Sequence, residues 1–171
     1  TIVEDPDYSY TLGKLSYRGR PNIRVVLKGD GTGKSVIFNA HTDVVPPSDG
    51  HHRPFDPYIQ DGRMYGRGAS DDKGNVAVLW MILKAMKKLG IRPKGDVIFH
   101  IVIEEEIGGN GTLAFIRGSD RADCCITIDG GDIGKIHTSV RGAVWFTCTC
   151  YGKAGHSGLP GTTVSALKLA I

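Results

Sequence analysis

The chain has 171 residues, with 21 Lys and Arg against 18 Asp and Glu, a net charge of +3, and 40% hydrophobic residues. This ordinary globular composition is enough to bury a core, and its mild, interspersed charge excludes a nucleic-acid-binding stripe. No apolar run reaches membrane-spanning length, and the opening "TIVEDPDYSY" lacks the charged-then-apolar layout of a signal peptide.

Taken in chain order, "NIRVVLK" and "SVIFNAH" are β-branched runs joined by "GDGTGK", whose glycines predict a hairpin. "KGDGTGKS" also resembles a phosphate-binding P-loop. That motif needs a glycine where Lys28 stands and a helix where Ser35 opens a strand, so a turn is the better reading. "HHRPFDPYIQDGRMYGRG" predicts a long irregular loop, in which His51 and His52 are loop residues rather than ligands. Over residues 72–89 the spacing of Val76, Leu79, Trp80, Leu83 and Met86 predicts a helix with those side chains on its core stripe, stopped near Gly90. "DVIFHIVI" predicts a buried strand, with His100 as a satisfied sheet histidine. A short helix near 112–117 and a strand at "CCITID" follow. Strand and helix in alternation predict an α/β layer architecture.

After "GGDIGK" the pattern changes. "GAVWFTCTCYG" alternates like a half-exposed antiparallel strand, and "TTVSALKLAI" begins an amphipathic helix that is still running at Ile171, which reads as truncation. A domain boundary is expected within 134–139, dividing the chain into 1–136 and 137–171. Cys124, Cys125, Cys148 and Cys150 contain no C-x-x-C pair and are expected to be buried, reduced thiols of a cytoplasmic protein.

Polar groups collect where predicted strands end or helices begin: His41 and Asp43, Asp71 and Asp72, Glu104 to Glu106, and Asp129. A strand places residues i and i+2 on one face, which lets His41 and Asp43 touch. In open α/β sheets sites form beyond the carboxyl ends of strands, so these groups can converge. One histidine among several carboxylates suits zinc, manganese or cobalt, and a carboxylate can bridge two ions. Singly, each acid reads as a solvated cap. As a set, like charges brought together need a compensating cation.

"NAHTDVVPP", "MYGRGASDDKG", "IEEEIGGNGT" and "RGAVWFTCTCYGKAGHSGLPGTTVSA" resemble, in order and spacing, the motifs of the zinc aminoacylase and carboxypeptidase family. That family includes acetylornithine deacetylase, succinyl-diaminopimelate desuccinylase and related dipeptidases. The resemblance implies two divalent ions, zinc first, with cobalt or manganese as alternatives. His41 would bind one ion, Asp71 bridge both, Glu106 bind the second and Asp129 complete the first. Glu105 would be the general base, and Asp43 would orient the His41 imidazole. His156 resembles the lid histidine that stabilises the tetrahedral oxyanion, often across a dimer. The resemblance also implies a cis peptide between Asp71 and Asp72.

The fold expected is thus an α/β metallopeptidase-like catalytic domain, incomplete at both ends, with the start of an inserted α+β lid or dimerisation domain. The family's last metal ligand is a histidine farther downstream than Ile171, so residues 1–171 alone are expected to be inactive. The parent is expected to be a homodimer that cleaves an amide bond in an N-acyl amino acid or short peptide, with no nucleic-acid or membrane partner. Asp129 stands where dipeptidases of the family carry aspartate, whereas the "GKAGHSG" segment is more deacylase-like, which leaves the substrate open. The rival reading is a non-catalytic metal-binding or interaction module on the same scaffold. Glu105 weighs against it, because a binding module needs no base.

Overall fold

The computed structural model describes residues 17–130, 134–144, 146–156, 158 and 161–171. The chain divides into two units, Thr1–Asp132 and Ile133–Ile171. In the first unit the elements run β1 (Ile23–Leu27), β2 (Val36–His41), β3 (Tyr58–Gln60), β4 (Arg63–Tyr65), α1 (Lys73–Lys88), β5 (Val97–Val102), α2 (Asn110–Arg117) and β6 (Cys124–Thr127). The main sheet has the order β1-β5-β2-β6. β2, β5 and β6 are parallel, and β1 is antiparallel to β5. The α/β architecture expected from the alternation is present.

β5 takes an interior place because it is apolar on both faces: five of its six residues are buried. Its alternation sorts the two helices. Val97 and Phe99 point to one face, where they join Ala40 and Leu79 in a core that Val36, Phe38, Val76, Ile82, Leu83 and Met86 extend. Phe38 stacks on Phe99, opposite it in register, with ring centroids 5.7 Å apart. His100 points to the other face, where it stacks on Phe115 of α2 at 4.0 Å and its Nε2 lies 3.0 Å from Asp120 Oδ2. The Arg24 Nε donates to the same carboxylate oxygen at 2.7 Å. His100 is therefore a satisfied sheet histidine.

Four expectations are corrected. The glycine-rich segment after β1 makes no hairpin, because β5 lies between β1 and β2. Its backbone packs instead against the turn before β5: Asp30 N donates to Pro93 O, and Gly31 N and Gly33 N donate to Lys94 O. A Cβ on Gly95 would lie 2.0 Å from Lys34 O, so glycine is needed there for backbone to meet backbone. The region read as irregular loop contains the β3–β4 hairpin, turned at Asp61 and Gly62 with φ of 51° and 73°. Asp-Gly is the favoured chemistry for such a two-residue turn. Trp80 leaves the core stripe and is 58% exposed, with the Lys84 ammonium 5.9 Å from its ring, while Ile82 packs inward. The cysteines are free, yet three are exposed and Cys150 is half-buried. β6 lies at a sheet edge, which exposes Cys124 and Cys125.

In the second unit, the described residues of "GAVWFTCTCYG" lie in no strand. A strand needs a partner for its backbone groups, and the pairing present among the described residues is a bridge between Lys153 and Val164. α3 (Ala166–Ala170) follows, its first turn capped by Ser165, whose Oγ accepts the Lys168 N–H at 3.3 Å. No helix among the described residues is long and apolar enough to cross a membrane.

Candidate metal centre

Parallel pairing puts the carboxyl ends of β2, β5 and β6 at one edge of the sheet. α1 returns from β2 toward the start of β5, so its N-terminus begins at that same edge. The residues that follow these ends are the acids singled out from the sequence. His41 closes β2, Asp71 and Asp72 precede α1, Glu104 to Glu106 follow β5, and Asp129 follows β6.

His41 is 1% exposed, and its Nε2 lies 3.0 Å from Asp71 Oδ1, 3.9 Å from Glu105 Oε2 and 3.9 Å from Asp129 Oδ2. None of these contacts has hydrogen-bond geometry, so this buried nitrogen has no partner. Its Nδ1 lies 3.1 Å from the Asp43 carbonyl oxygen and 3.3 Å from Asp43 Oδ1. Burial works against a charge on His41, yet Asp43, Asp72, Glu105 and Asp129 together hold its pKa above the ordinary 6.5. Donor atoms of His41, Glu105 and Asp129 lie within 4.8 Å of one another, as do those of His41, Asp71 and Glu106.

Asp43 does more than face the imidazole. Its carboxylate accepts the backbone N–H of Glu105 at 3.2 Å and of Glu106 at 3.1 Å, tying the turn after β5 to the end of β2. Glu106 Oε1 accepts the Val45 N–H at 3.3 Å. Burial raises the Glu105 pKa, and the charges of Asp129, Glu106 and Asp43 add to the rise against the pull of His41. The peptide between Asp71 and Asp72 is cis, as the resemblance implies.

Two acids carry structural work that the sequence did not single out. Asp72 is fully buried; its Oδ2 accepts the His41 N–H at 2.8 Å and its Oδ1 accepts from Asn75 Nδ2 at 2.5 Å. Glu104, read as an extra strand-end acid, is also buried and bonds to Tyr17 and Asn110. The available signal was their position directly beside candidate ligands. His51 and His52 line a cleft of about 490 Å³ with Tyr58, Tyr65 and Ser70, and neither belongs to a donor group. His156 belongs to the second unit, is exposed, and accepts the Gly158 N–H on Nδ1 at 3.0 Å.

Residues 37–147 match peptidase family M20/M25/M40, and residues 138–171 match the peptidase dimerisation domain. The chain belongs to this peptidase family. It is similar to the N-formyl-4-amino-5-aminomethyl-2-methylpyrimidine deformylase of Bacillus subtilis, 36% identical over 133 residues, 75% of this chain and 30% of that protein. Among solved structures it resembles human carnosine dipeptidase 1, with 30% identity and a TM-score of 0.57 over 67% of this chain and 26% of the other. A tripeptidase from Staphylococcus aureus, 22% identical, shares the fold with a TM-score of 0.60, over 87% of this chain and 40% of the other. The chain thus spans less than half the length of each of these proteins.

The family is metal-dependent, and the donor set fits a divalent ion. An Nδ1–H donated to the Asp43 carbonyl leaves the Nε2 lone pair facing carboxylates. That arrangement is repulsive unless a proton or a cation lies between them. Imidazole with carboxylates is a donor set that zinc, manganese and cobalt accept.

Proposed function

We propose that the protein containing this chain is a two-metal amidohydrolase, with zinc as the first candidate, cleaving an amide bond in an N-acyl amino acid or short peptide. The observation that carries this reading is the buried, unpartnered His41 Nε2, ringed by acids from three other segments. Family membership supports it, and so do relatives named for deformylase and dipeptidase activities.

His41, Asp71, Glu106 and Asp129 would hold the ions, with Asp71 between them. Bound there, divalent ions lower the pKa of water and polarise a carbonyl. Glu105 takes the proton of the attacking water on its carboxylate and delivers it to the leaving amine nitrogen. Its raised pKa suits a group that must both accept and return a proton. Asp43 steadies Glu105 through the backbone and the His41 ring through its carbonyl. His156 would stabilise the oxyanion, and the dimerisation-domain match supports a homodimeric parent. The free cysteines suit a reducing compartment such as the cytoplasm.

The test uses the full-length parent with a panel of N-formyl and N-acyl amino acids and dipeptides. Glu105→Ala is expected to lower kcat by about 10²–10⁴-fold while bound metal stays at the wild-type level. Glu106→Ala is expected to lose metal as well as turnover. Near-normal turnover of Glu105→Ala would remove the base assignment. A wild-type parent inert on the whole panel when loaded with zinc would remove the hydrolase reading.

A further inference from the structure

Glu105 and Glu106 are adjacent, yet each joins a different donor group around His41. The turn that separates them starts at Glu104, whose backbone is left-handed at φ 63°. A non-glycine residue holds that conformation only where its surroundings enforce it. The enforcement is visible. The Tyr17 hydroxyl donates to Glu104 Oε2 at 2.7 Å, Asn110 Nδ2 donates to the same oxygen at 3.2 Å, and Arg20 Nη2 lies 3.5 Å from Oε1. Asn110 Nδ2 also reaches the Tyr17 oxygen at 2.6 Å, closing a triangle of polar groups.

The backbone on either side is closed as well. Gly109 N donates to Glu104 O at 2.6 Å, and Gly111 N donates to Ile103 O at 3.2 Å. Asn22 spans the same gap, accepting from Ile103 N at 3.1 Å and donating to Gly111 O at 2.7 Å. A Cβ on Gly111 would lie 2.2 Å from Ile103 O, so the two ends of the turn meet too closely for a larger residue. The turn is therefore clamped at its base by Glu104, Asn22 and Asn110. At its tip it is held by the Asp43 carboxylate.

From this clamp we infer that Glu104 is a positioning residue for the metal centre: its buried carboxylate, held by Tyr17, Arg20 and Asn110, sets the turn that sends Glu105 and Glu106 to different donor groups. Burying the Glu104 carboxylate, 1% exposed, is electrostatically costly. Its hydrogen bonds and the Arg20 contact offset that cost, and the ordered turn is what the arrangement provides. The inference rests on the proposed hydrolase reading only where turnover is concerned, because ion binding reports on the turn independently.

The experiment compares Glu104→Ala, Glu104→Gln, Glu104→Gly and Tyr17→Phe in the full-length parent. It measures zinc affinity by chelator competition, and kcat and KM separately. Glu104→Ala is expected to weaken zinc binding about 10–100-fold. Its kcat is expected to fall about 10²-fold, with KM little changed, because the reacting groups are displaced rather than removed. Glu104→Gln, which still accepts from Tyr17, should recover part of both losses, and Tyr17→Phe should show a smaller loss of both. Glu104→Gly accepts the left-handed backbone without the anchor and should behave like Glu104→Ala. Full recovery in Glu104→Gly would overturn the anchoring role, and so would wild-type zinc affinity and kcat in both Glu104→Ala and Glu104→Gln. If the wild type hydrolyses nothing while Glu104→Ala still loses zinc, the hydrolase reading fails and the positioning role stands.

Discussion

At the scale of single residues, the acids around His41 divide into those that face the donor groups and those that hold the frame. Asp72 belongs to the frame, since its carboxylate is the partner of a buried backbone N–H. Asp72→Ala should cost about 1–3 kcal/mol in urea unfolding, the penalty for an unpaired buried donor. Asp72→Asn retains an acceptor and should cost less. His100 supplies a prediction about pH. Burial lowers its pKa below the ordinary 6.5, against the opposing pull of Asp120, while Arg24 adds to the lowering. Above about pH 6.5 the imidazole is neutral folded and unfolded. As pH falls below that value the unfolded chain binds the proton first, so stability declines until the folded pKa is passed. Asp120, held low by its hydrogen bond from Arg24, adds a second loss below its ordinary 3.8. Between pH 7 and pH 5 the urea midpoint of the wild type should fall relative to that of His100→Gln, which lacks this titration.

At the scale of elements, patterning identified each strand of the main sheet and both longer helices, but not how each was used. The α1 stripe shows the difference. Leu79 is 1% exposed against Phe99 and Ala40, and its neighbour Trp80 points into solvent. Leu79→Ala should destabilise by about 2–5 kcal/mol, while Trp80→Ala should stay within about 0.5 kcal/mol, both read from unfolding curves. Equal losses would mean that α1 is rotated on the sheet. The segment after β1 teaches the same lesson: its glycines signal tight backbone, and a hairpin and a backbone-on-backbone contact with Gly95 need the same residue type. The β3–β4 hairpin was legible in principle from Asp61-Gly62, but its strands of three residues each are too short for alternation to show.

At the scale of the whole molecule, the candidate metal centre joins four segments, at residues 41–43, 71–72, 104–106 and 129, that only the parallel sheet brings together. Ions binding there would act on the folded state alone, since the unfolded chain has no such cluster. Stripping the parent with a chelator should therefore lower its thermal midpoint. Restoring zinc to about 100 times its dissociation constant should return roughly 2.7 kcal/mol. Asp71→Ala should remove most of that response, and a midpoint indifferent to chelator in the wild type would count against ion binding at His41.

Sequence alone determined the four strands of the main sheet and the two longer helices, because period and β-branching are local properties, and it singled out every residue of the two donor groups, because polar residues that end apolar runs or open a helix stand out without coordinates. Apart from the family resemblance, nothing in the letters separates the acids of the donor groups from those buried as struts. Asp72 and Glu104 look like Asp71 and Glu105 in a string of letters, and they differ only in what lies across from them: the His41 backbone for one, Tyr17 and Asn110 for the other. Those partners are 31, 87 and 6 residues away. Burial of a carboxylate is set by packing between such distant segments, so only the tertiary structure assigned those two their place.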